Sequence, residues 1–122
     1  MATDVKDSIL LSIKQMLGGL DPTYDSAFDA DIIMNINTSL ATLTQLGVGP
    51  SSGFAIEDDT ATWEDFIGTD DRLNMIKTFV YCDVKATFDP PRMSFVLDAL
   101  QKKREELLWR LNVQAEYGDK PE

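Results

Sequence analysis

The strongest constraint on the fold is an apolar stripe at helical spacing: Phe28, Ile32, Ile36, Leu40 and Leu43 recur every three or four residues until Gly47 ends the run. Only a helix brings such positions onto one side, because 3.6 residues per turn returns the chain to the same face. Ser26, with Asp29 three residues on, has the form of a capping box, so a helix about 30 Å long is predicted from there. From Ile32 to Ile56 no residue is charged, although the chain carries a formal net charge of -10. Opposite the stripe stand Asn35, Thr38, Thr42 and Gln45, with Met34 and Ala41 beside them. A solvated face ordinarily carries Lys or Glu, whereas the centre of a subunit interface is depleted of charge. Two readings stay open on this pattern: a contact between subunits, or a face wrapped by the chain's own domain.

The neighbouring segments are also helical. Asp4 is positioned to cap a short amphipathic helix with Val5, Ile9, Ile13, Met16 and Leu17 on one face, stopped by Gly18-Gly19. After the long helix, "GVGPSSG" is a loop, Phe54 to Ile56 reads as extended, and Thr62 caps a helical turn, "TWEDFIG". Phe54, Trp63 and Phe66 are the expected anchors that pin this excursion to the core. Another helix, from about Asp71 to Phe88, puts Leu73, Ile76, Val80 and Val84 on one side and the uncharged Met75, Thr78, Cys82 and Ala86 on the other. That pattern predicts burial from two directions. The helix stops at "DPP", since proline disfavours helix in the residue before it. Ser94 then caps a last helix carrying Val96, Leu97, Leu100, Leu107, Leu108 and Leu111 ahead of a polar tail, "AEYGDKPE". The expected fold is therefore all-α: one domain, residues 1–122, about four helices, and one long anchored loop between the second and third.

Composition argues against most chemistry. With one cysteine, Cys82, and no histidine, the chain offers zinc little but carboxylates, so no structural zinc site is expected, and hydrolases of the Ser-His-Asp or Cys-His type are excluded. Asp58, Thr60 and Thr62 alternate like calcium ligands, but Trp63 replaces the turn glycine and Thr69 the bidentate Glu, so a solvated acidic loop is expected. Adjacency alone gives Asp58 and Asp59 no reason to divide acid and base roles. "GVGPSSG" follows a helix and lacks the lysine of a phosphate loop. Cys82 is read as packing. No catalytic residue, cofactor, metal or membrane span is expected, and the absence of a leader sequence points to synthesis in the cytoplasm. Residues 21–72 hold all of the excess negative charge, which disfavours binding to phosphate backbones.

In order along nearly the whole chain, "DSILLSIKQMLG", "YDSAFDADIIMNINTSLATLTQLGVGP", "FAIEDDTATWEDFIG", "VKATFDPP" and "LLWRLNVQAE" resemble the motifs of head-tail connector proteins, also called adaptor or head-completion proteins, of long-tailed bacteriophages of Gram-positive hosts. The resemblance implies a small helical structural subunit of the virion, made in the host cytoplasm. Such subunits form a ring beneath the portal, extend the DNA channel without gripping DNA, and offer a platform to a tail-proximal head-closure protein. The uncharged face (Met34, Asn35, Thr38, Ala41, Thr42, Gln45) then becomes the expected subunit contact. The C-terminal region, 94–122, becomes the portal-side attachment through Lys102, Lys103, Arg104, Trp109, Arg110 and Val113, with Phe95 near the edge of the same face. Two rivals from other classes are an acidic DNA-mimic inhibitor and a small helical regulator that holds one partner through Trp109.

Overall fold

The computed structural model describes residues 4–18 and 26–117. Among these residues there are five helices and no strand: α1 (Ile9–Leu17), α2 (Asp29–Gln45), α3 (Trp63–Ile67), α4 (Leu73–Phe88) and α5 (Ser94–Tyr117). The all-α expectation holds, with the predicted turn at Trp63 appearing as the short α3. The segment "LDPTYD" before α2, Gly19 of the expected double-glycine stop and the tail beyond Tyr117 lie outside the described residues.

α4 is the central element and packs against α1, α2 and α5. Ile76, Phe79, Val80 and Val84 are buried on it, as is Cys82 on the uncharged side, which accords with burial from two directions. The core continues through Ile32, Ile36, Leu40 and Leu43 of α2, Ile9, Leu10 and Ile13 of α1, and Leu107 and Leu111 of α5.

Several local expectations are corrected. Ser8, not Asp4, caps α1, its hydroxyl accepting from the Leu11 amide at 3.1 Å. Asp4 instead closes the preceding turn, its carbonyl accepting from the amides of Asp7 and Ser8. α1 is buried nearly all round, including Lys14, while Met16 is 39% exposed. The Lys14 ammonium lies 2.7 Å from the Asp29 carboxylate, so the side chain expected to complete a capping box on α2 is occupied by a cation from α1. Phe28 stands at the N-cap of α2, outside the helical phase, and is 49% exposed, meeting Phe88 edge-on at 5.8 Å rather than joining the core stripe. Ser94 is the first helical residue of α5, and the Met93 carbonyl accepts the opening bonds, from the Val96 and Leu97 amides. Val96 is exposed, since the first turns of α5 bury little of their surface.

The excursion between α2 and α4 is held by specific bonds. Thr62 and Asp65 form a capping box on α3. The Trp63 indole donates to the Ser12 hydroxyl at 2.9 Å and is 2% exposed. Phe66 is equally buried, and half-buried Phe54 lies 5.3 Å from it, ring to ring. Gly49 passes over the Phe66 ring at φ +84°, where an added Cβ would come within 2.4 Å of that ring, so only glycine fits. Phe54 to Ile56 forms no strand. Instead the Asn37 side chain stands in for one, accepting from the Ile56 amide at 2.8 Å and donating to its carbonyl at 3.0 Å. The Ser8 hydroxyl donates to the Asp59 carbonyl at 2.8 Å, and a single bridge pairs Ser8 with Thr62.

Candidate functional site

The molecule has two outward helix faces of different chemistry. On α2, Met34, Thr38, Ala41 and Gln45 are exposed, Met34 by 64%, and Asn35 and Thr42 are half-buried. Among the described residues, nothing wraps the greater part of this face, a point the pattern had left open. Three of its polar side chains bond within the helix: Thr38 donates to the Met34 carbonyl at 3.1 Å, Thr42 to that of Thr38 at 3.2 Å, and Asn35 to that of Asp31 at 3.0 Å. Each threonine hydroxyl proton is thus already matched, and a partner laid on the face leaves none of them unsatisfied. This differs from an interface in which hydroxyls donate across to the neighbour.

On α5, Lys102, Lys103 and Arg110 are exposed, Trp109 is 65% exposed, Phe95 64%, and Val113 is half-buried. The last basic residue of the expected set turns elsewhere. Arg104 pairs with Asp83 of α4 at 2.6 Å and sits 5.7 Å from the Phe79 ring. Asp83 also accepts from the Ser39 hydroxyl of α2, so one carboxylate ties three helices together. Arg110 pairs with Glu106 one turn back at 2.8 Å, which lowers the free positive charge of the stretch. The sequence separates Ser39, Asp83 and Arg104 widely, and no local spacing signals this node.

Elsewhere, Asp58, Asp70 and Cys82 depart from their ordinary acidities for local reasons. Asp58 accepts from the Thr60 amide at 2.9 Å and its hydroxyl at 2.6 Å, and these bonds hold its carboxyl below the usual range. The Arg72 guanidinium beside Asp70 likewise lowers that carboxyl, against partial burial. Burial pushes the Cys82 thiol up, although α5 brings Lys103 and Arg104 near enough to favour the thiolate. Sequence neighbours gave no hint of those two cations. Among the described residues, no cluster of His, Cys, Asp or Glu is arranged to hold a metal ion, and no helix is long and apolar enough to cross a membrane.

Residues 9–118 match the family model described as phage connector protein, which spans all five helices. The chain belongs to that family. Its role is accordingly that of a structural virion protein at the head-tail junction, and the family is not an enzymatic one. No curated protein and no solved structure matches the chain.

Proposed function

We propose that the chain is the repeating subunit of an oligomeric ring between the portal and the tail, extending the channel through which DNA leaves the head. The observation that carries this reading is the face of α2: exposed, free of charge, and with its threonine hydroxyl protons matched inside the helix. Such a face loses little on being dried, and a ring requires that each subunit present one patch to a different patch on its neighbour. The outward face of α5, with Lys102, Lys103, Trp109, Arg110 and Val113, serves as the portal-side attachment, and Arg104 supports it from behind through Asp83. A head-closure protein docks on the other end. The acidic excess of residues 21–72 keeps passing DNA from being gripped. A DNA-mimic role is less well served, because Asp58 and Asp70 are turned onto Thr60 and Arg72.

Co-expression with the portal protein, followed by size exclusion and negative-stain imaging, tests the ring. Thr38→Lys and Thr42→Glu each place an unpaired charge in the proposed contact, at a cost of several kcal/mol per interface. Both variants are expected to keep their helical signal and melting temperature while ring assembly is lost. Normal rings from both variants remove α2 from the contact.

A further inference from the structure

The outward face of α5 repeats with the spacing of a coiled-coil seam. Phe95, Ala99, Lys102, Glu106, Trp109 and Val113 follow one another at alternating steps of four and three residues, on the side away from Leu107 and Leu111. Phe95 and Trp109 are strongly exposed, Ala99, Lys102 and Glu106 are exposed, and Val113 is half-buried, so a real surface presents the pattern.

That surface is complementary to itself. Taken about Arg104 as centre, Lys102 and Glu106 stand two residues to either side, Ala99 and Trp109 five, and Phe95 and Val113 nine. Two copies of α5 laid antiparallel about a two-fold axis at this centre set each residue against its counterpart. Opposite charges meet in the middle layers, the bulkiest side chain of the seam meets the smallest in the next, and two apolar residues meet at the ends. Knobs of unequal size filling each other's space, with an ion pair that selects the register, are the usual requirements of an antiparallel helix pair. Among the described residues, the core that α5 packs on lies behind Leu107 and Leu111, on the far side of α5 from the seam, and leaves the seam open to a second copy.

We propose that the free protein pairs with a second copy of itself through this face, as an antiparallel α5–α5 dimer in which Lys102 faces Glu106 of the other copy, a carboxylate whose Oε1 Arg110 holds within its own helix and whose second oxygen is left for the lysine. The contact is about 27 Å long. Two helices meeting over that length fall at the small end of specific interfaces, below about 1,200 Å² in total, so the dimer is weak and concentration-dependent. The pair covers Trp109 and Val113, and a paired subunit cannot offer that face to any other partner. This goes beyond the ring reading and is measured on the purified chain without the portal, so either can fail alone.

Sedimentation equilibrium of the full chain tests the pairing, with circular dichroism as the control for folding. The wild-type chain is expected to pass from monomer to dimer as concentration rises. Lys102→Glu and Glu106→Lys each set like charges together twice per dimer and are expected to weaken it about tenfold or more, while the double exchange restores the dimer. Recovery in the double variant is a result that burial of the face against a different protein does not produce. A chain that stays monomeric up to about 1 mM, a dimer indifferent to both single exchanges, or a double variant no tighter than the singles would overturn the proposal.

Discussion

The excursion between α2 and α4 and the helix α5 invert the common association of regular structure with firm attachment. The excursion has only the five residues of α3 as regular structure, yet it contributes Val48, Ile56, Trp63 and Phe66 to the core. α5 is 24 residues long, yet only Leu107 and Leu111 among its described side chains are buried hydrophobics. A helix satisfies its own backbone and can stand on a narrow stripe of contacts. An irregular segment must find partners for its buried N–H and C=O groups elsewhere, and the excursion finds them for Ile56 in Asn37 and for the Asp59 carbonyl in Ser8. Self-sufficient α5 is therefore the element with surface to spare for assembly.

Substitutions in the two regions probe that contrast. Trp63→Ala removes a buried indole and its bond to Ser12, and is expected to cost about 3 kcal/mol or more, read as a large fall in melting temperature. An unchanged melting temperature would remove Trp63 as the anchor. Asn37→Ala leaves the Ile56 amide and carbonyl without their protein partner and is expected to cost about 1–3 kcal/mol, with faster hydrogen exchange around Ile56. Exchange at Ile56 equal to that of the parent protein counts against the clamp. Trp109→Ala, on the exposed face of α5, is expected to change stability by less than about 0.5 kcal/mol while weakening portal binding. Loss of folding in this variant would place Trp109 in the core and erase the distinction between the two regions.

The helices of the core were legible because periodicity is a local property. The stripe from Ile32 to Leu43, the two-sided apolar pattern of α4 and the proline stop at its end each follow from residues a few positions apart. The capping box at Thr62 was legible for the same reason. Of the surfaces, the uncharged face of α2 was visible as a pattern, but whether solvent or the chain itself covered it was not.

Tertiary structure decided what depends on residues far apart in the chain. Asp29 looked like a cap and became the partner of buried Lys14, because packing brought the end of α2 to α1 and a buried ammonium needs a carboxylate more than a helix end does. Arg104 read as part of a basic surface and turned inward, because Asp83 on α4 lay within reach. Asn37 read as an interruption in an apolar run and became the strand substitute for Ile56, since a carboxamide carries an acceptor oxygen and a donor nitrogen side by side and so pairs with both the N–H and the C=O of one residue, as a neighbouring strand would. Local sequence determined which segments are helices and which faces are apolar. The partners of the polar side chains were determined only when folding set the distances between them.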